Sequence, residues 1–276
     1  MTSLYPGMRS RSWINRSFQI VLLVAIFVVL WQVANGEQAL KLLLEAELAM
    51  LGAALFLLSL QTVISALRWK ITASQLGIKM NSNKALSEYY IAQAANQSLP
   101  GGVLGDLARA ARSSNQAGWM RAAQAVVIER LAGQFGLMIV FFSSLVISVL
   151  FATQFEIPFW LLIASLMLLF LIALAIFTLV SVAKLTNSGF SRFLKSIWMN
   201  LQAAIFDRKV FWLQLLLSLS TAILNVLAFV ASAWAIGAEI DLLASFFVIP
   251  IVLLSMLVPL TIGGWGVREA LAAALF

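Results

Sequence analysis

Six charged residues stand in stretches otherwise too apolar for them: Asp106, Arg109, Glu129, Arg130, Arg268 and Glu269. A charge at membrane depth costs on the order of 3 kcal/mol, so such groups face a cavity or one another. Arg109 and Arg268 each follow a glycine-rich break, SLPGGVLGDLARAAR from Ser98 to Arg112 and VPLTIGGWGVREA from Val258 to Ala270. Proline removes a helix donor, and Gly101, Gly102, Gly263 and Gly264 accept backbone angles that other residues refuse. A helix restarting near Val103, and another near Val267, would present free N–H groups and the positive end of a macrodipole, about half an elementary charge. A guanidinium beside such an end makes a seat for an anion, and the anion most available at that depth is a lipid phosphate. Asp106, Glu129, Arg130 and Glu269 are then candidates for gating or ion coupling.

Each of these residues also has a blander role. Asp106 and Glu269, in first helical turns, complement a helix dipole. Glu129 pairs with Arg109 or Arg130. Gly101 to Gly105 and Gly133 to Gly136 let helices pack closely. Asn96, Gln97 and Ser98 satisfy the broken backbone rather than line a wet cavity.

Composition narrows the chemistry. The 276 residues contain no cysteine and no histidine, which removes disulfides, thiolate metal sites and imidazole acid–base catalysis. No GxxxxGK[ST] sequence occurs, and no metal-ligand cluster stands out. No catalytic residue, metal or cofactor is assigned. Movement of a ligand, powered by a gradient or by nothing, fits better than bond chemistry.

The elements that must hold these residues are membrane helices. The chain is 62% hydrophobic and 11% charged, with a mean hydropathy of +0.99, which excludes a water-soluble globule. Apolar runs predict spans over about 18–34, 48–67, 119–151, 157–183 and 211–237. The first is taken as a retained helix rather than a cleaved signal. Arg68, Trp69 and Lys70 close the second as an interface anchor. The basic linker over 184–209 is amphipathic and fits a helix along the cytoplasmic surface. Lys and Arg other than Lys41, Arg130 and Arg268 fall in segments on one side, and the excess places the N-terminus in the cytoplasm. The net charge of +7 thus reports topology, not nucleic-acid binding.

Span, span, hairpin and long span over 1–151 are followed by span, span and hairpin over 152–276. The hairpins, at about 84–112 and 242–276, enter from opposite sides. The expected fold is an all-α polytopic membrane protein: an inverted repeat of spanning helices with two re-entrant helical hairpins. An ordinary crossing helix over 242–258 is the alternative. The second half is about one tilted helix shorter than the first, so either the chain is truncated after Phe276 or a partner supplies the helix.

At these motifs the chain resembles the lysylphosphatidylglycerol synthase transmembrane region, also called the flippase-like domain family. The likeness rests on the proline-glycine-glycine stretch leading to Gly105, Asp106 and Arg109, on Glu129-Arg130-Leu131 with Gly133, and on Pro259 through Gly263-Gly264-Trp265-Gly266-Val267-Arg268-Glu269. Leu104 stands where the family often has a further glycine, and Glu129 where an aspartate is common. The resemblance implies a multi-pass protein of the cytoplasmic (inner) membrane that flips a phosphate-bearing lipid between leaflets: a phospholipid, an aminoacylated phospholipid or a polyprenyl-linked lipid. The alternative is a membrane subunit or scaffold of a lipid-modifying synthase or glycosyltransferase. Expected partners are a membrane lipid, such a synthase, or a second copy of the chain.

Overall fold

A computed structural model describes residues 36–98, 103–150 and 189–254, with residues 178 and 181. The described residues are helical, with no strand among them. In order they form α1 (Gly36–Leu44), α2 (Leu48–Gln75), α3 (Ser82–Ser98), α4 (Leu104–Ala117), α5 (Trp119–Leu150), α6 (Gly189–Leu201), a π-helical turn (Gln202–Phe206), α7 (Arg208–Ala235) and α8 (Leu242–Leu254).

Three of these helices, α2, α5 and α7, are long and apolar enough to cross a membrane. Their outward residues are those that lipid would solvate: Leu55, Phe56, Phe135, Trp212 and Leu216 are exposed. Their contacts with one another use small residues instead. The central core contains Ala73, Ala110, Ala122, Ala125 and Ala204 around Trp69 and Ile128, which lets helix backbones approach closely. Gly136 of α5 sits so near α7 that an added Cβ would lie 2.5 Å from the Ser218 carbonyl oxygen. On the far side, Phe141 of α5 stacks on Phe247 of α8, ring centroids 5.0 Å apart.

α2 and α7 pack antiparallel. The Glu47 N–H donates to the Ala235 carbonyl at one end, and Gln214 Nε2 donates to Thr72 Oγ1 near the other. Both helices are 28 residues long and end alike. Gly77 at φ +83° and Gly237 at φ +76° let the next amide turn back, so that Ile78 N–H reaches the Ala73 carbonyl and Ala238 N–H reaches that of Ala233. Asn81 then caps α3 through Lys84 N–H, and Asp241 caps α8 through Ala244 N–H. One interval of 160 residues separates Leu48 from Arg208, Gly77 from Gly237 and Asn81 from Asp241. Asn81→Ala and Asp241→Ala should each cost about 1 kcal/mol, seen as a lowered unfolding midpoint in detergent. Asn83→Ala, on the exposed surface of α3, should leave that midpoint where it was.

α3 and α4 pair antiparallel, with Glu88 bonded to Arg112 at 2.5 Å and Asn96 bonded to Gly105 at 2.8 Å. At about 25 and 21 Å, each is shorter than a roughly 30 Å hydrocarbon layer. Residues 99–102 and those after 254 lie outside the described residues, as do the first expected span and most of the fourth. The expected spans over 48–67, 119–151 and 211–237 correspond to α2, α5 and α7, and the amphipathic linker contains α6.

One expectation is corrected. Arg68 and Trp69 are not an interface anchor: α2 continues to Gln75, and the two side chains are 4% and 1% exposed inside the bundle. The helix runs on because Lys70 to Gln75 is helix-compatible and the stop signal is Gly77.

Candidate functional site

α2, α3, α4 and α5 converge on five charged side chains. Glu129, ten residues into α5 and so about 15 Å along it, is 1% exposed. Arg68 Nη2 donates to Glu129 Oε1 at 2.6 Å, and Arg109 Nη2 donates to Glu129 Oε2 at 3.3 Å. Tyr89 Oη of α3 donates to Glu129 Oε1 at 3.3 Å. Arg109 Nη2 also donates to Asp106 Oδ1 at 3.0 Å, one turn back on α4. Arg130 Nε donates to Asp106 Oδ2 in a short contact that ties α4 to α5.

The surroundings are shaped to these charges. Arg109, 1% exposed, has its guanidinium carbon 4.6 Å from the Trp69 ring centre and 4.7 Å from that of Tyr89, an arrangement in which ring quadrupoles attract the cation. Arg68 Nη1 donates to Thr221 Oγ1 at 3.0 Å and to Ser218 Oγ at 3.4 Å, which binds α7 into the same cluster. Gly133 makes room for this guanidinium, since a Cβ there would stand 2.8 Å from Arg68 Nη2. Arg68 Nε, Arg109 Nε and Arg109 Nη1 are buried with no hydrogen-bond partner among the described residues. Three guanidiniums face two carboxylates, so among the described residues the cluster carries one excess positive charge.

Four of the residues singled out from the sequence, Asp106, Arg109, Glu129 and Arg130, are brought together here. Arg130 is the most open of them, its side chain 47% exposed. Gly101, Gly102, Gly263, Gly264, Arg268 and Glu269 lie outside the described residues. Asn96 serves the broken backbone, since its Oδ1 accepts from Gly105 N–H in the first turn of α4. Gly105 and Gly136 are close-packing positions: a Cβ at either would collide with a backbone carbonyl, that of Ala92 or of Ser218.

Arg68, Trp69 and Tyr89 are the residues that reading the chain left out of the site. A signal for Arg68 existed on α7, where Gln214, Ser218 and Thr221, spaced four and three apart, form a buried polar stripe in a mostly apolar helix.

An all-helical bundle with three membrane-length helices around a buried ionic cluster defines a multi-pass integral membrane protein. The chain belongs to the family of the lysylphosphatidylglycerol synthase TM region, whose model matches residues 18–276. No curated protein and no solved structure matches it.

Proposed function

We propose that this protein moves a phosphate-bearing lipid between the leaflets of the cytoplasmic membrane, with Arg109 and Arg268 engaging the head group. The carrying observation is Arg109: a guanidinium 1% exposed, beside two aromatic rings, with two of its nitrogens lacking a partner among the described residues. A buried cation left this way wants an oxygen acceptor, and phosphate geometry matches its fork. Membership in a family named for the membrane part of a lipid synthase supports a lipid as the source of that phosphate. Asp106, Glu129 and Arg130 then latch α4 to α5 and act as the gate.

The architecture we propose is an inverted repeat with re-entrant hairpins and a cytoplasmic N-terminus. Support comes from the antiparallel α2 and α7, from their equal lengths, and from helix ends repeated at a constant interval. The shortness of α3 and α4 supports a hairpin that enters and leaves by one face.

The test is reconstitution into liposomes containing a fluorescent phosphatidylglycerol, with an external quencher that reads the outer leaflet. Wild-type protein should make inner-leaflet label accessible, and Arg109→Gln and Arg268→Ala should reduce this to the rate of protein-free vesicles. Equal rates for wild type and protein-free vesicles would overturn the proposal. The family's name also favours a second role, as membrane subunit or scaffold of a lipid-modifying synthase. That role predicts a synthase or glycosyltransferase that copurifies and tolerates both arginine substitutions.

A further inference from the structure

We infer that Glu129 is a tethered counter-anion, a built-in competitor that holds Arg109 in place of the phosphodiester oxygen of an entering head group. This rests on the proposal that Arg109 meets a phosphate.

The geometry around Glu129 is unequal. Its Oε1 is held at 2.6 Å by Arg68 and also accepts from Tyr89, while its Oε2 meets Arg109 at 3.3 Å, the loosest ion pair within the cluster. Losing Arg109 would therefore leave the carboxylate with its shortest bond intact. Arg109 spends a single nitrogen, Nη2, on both Asp106 and Glu129. Nε and Nη1, the nitrogens flanking the central carbon on its other sides, hold donors ready for a further acceptor. The bound carboxylate thus fills the arginine in part and is the contact easiest to exchange.

A crevice leads to this point. Trp69 and Arg109 lie in it with Lys84, Arg112, Ser113 and Gln116. The exposed Lys84 would draw an anion inward, while Arg112 is already paired with Glu88, which also lines the crevice. The enclosed space is about 10 Å³, the size of one water. A phosphate can therefore reach Arg109 only as α2, α3 and α4, whose side chains line the crevice, move apart, which couples exchange of the anion to opening. Charge points to the ligand class. The cluster's one excess positive charge is cancelled by one negative charge, as a phosphodiester carries, and is overshot by a phosphate monoester dianion.

Titration calorimetry on the purified full chain in detergent tests this, with dioctanoyl phosphatidylglycerol and inorganic phosphate as separate probes. Glu129→Gln removes the competing charge and should tighten binding of the lipid probe by about tenfold or more, the scale of one charged hydrogen bond. Equal tightening of inorganic phosphate would make phosphate itself the recognised group, and tightening confined to the lipid would make it the head group with its chains. Either result supports the exchange. Arg109→Gln in the same background should abolish the gain. Glu129→Asp keeps the charge but shortens its reach, and it decides the matter if the Gln variant does not fold. It should bind severalfold tighter than wild type. Binding by both Glu129 variants that is no tighter than wild type, with binding lost in Arg109→Gln, would overturn the exchange and leave the Arg109 proposal standing. Undiminished binding by Arg109→Gln would overturn both.

Discussion

Arg68→Leu is expected to cost the folded protein about 3–5 kcal/mol, the usual penalty for stranding one partner of a buried ion pair. The guanidinium makes the shortest bond to Glu129 and joins α2 to α5 and α7 through it, Ser218 and Thr221. Without it the carboxylate keeps only the longer contacts to Arg109 and Tyr89. A buried pair replaced whole by apolar residues is often nearly neutral. The double variant Arg68→Leu with Glu129→Leu should therefore recover at least half of the loss, since Arg109 retains Asp106. Unfolding midpoints in detergent read both. A double variant no more stable than the single one would mean that the cost lies in packing rather than charge.

Gly105→Ala should be nearly as damaging, although it adds only one methyl group. The new Cβ would overlap the Ala92 carbonyl oxygen and press on Asn96 Oδ1 at 2.8 Å. The first obstacle is backbone, so α3 and α4 must separate, at a cost of about 1–3 kcal/mol or more. Asp106 and Arg109 ride on the displaced helix, and lipid movement should fall with stability. Gly52→Ala is the matched control: its Cβ would meet nothing within 4 Å, and the helix gains from alanine. If both variants keep the wild-type midpoint, α3 and α4 are not packed as closely as described.

Helices were readable because lipid demands long apolar runs and glycine marks where they stop. The apolar stretches beginning near Leu48, Trp119 and Phe211 give α2, α5 and α7, though α2 runs past its expected end at 67 to Gln75. Asp106, Arg109, Glu129 and Arg130 were readable as misfits in apolar surroundings, and they do converge. Partners were harder. Glu129 could have paired with Arg109 or Arg130, yet its shortest bond goes to Arg68, 61 residues away. Sequence spacing reaches neighbours on one helix, whereas this pair depends on the register between two helices. Arg68 was hidden for a further reason: Arg-Trp-Lys at the end of an apolar run has the composition of a membrane-surface belt. Only the continuation of α2 past it puts Arg68 and Trp69 in the core.

The matched helix ends also bring a contrast into view. Stepping forward by the interval that relates Gly77 to Gly237 carries Arg68 onto Ala228, Trp69 onto Phe229 and Tyr89 onto Ile249. Scaffolding recurs, but at these three positions the polar groups do not. On the proposed repeat, exchanging the shapes of the two halves would generate two arrangements of unequal energy, because the positions that answer to Arg68 and Tyr89 carry only apolar side chains. Such a protein would idle in a single preferred posture and visit the other briefly.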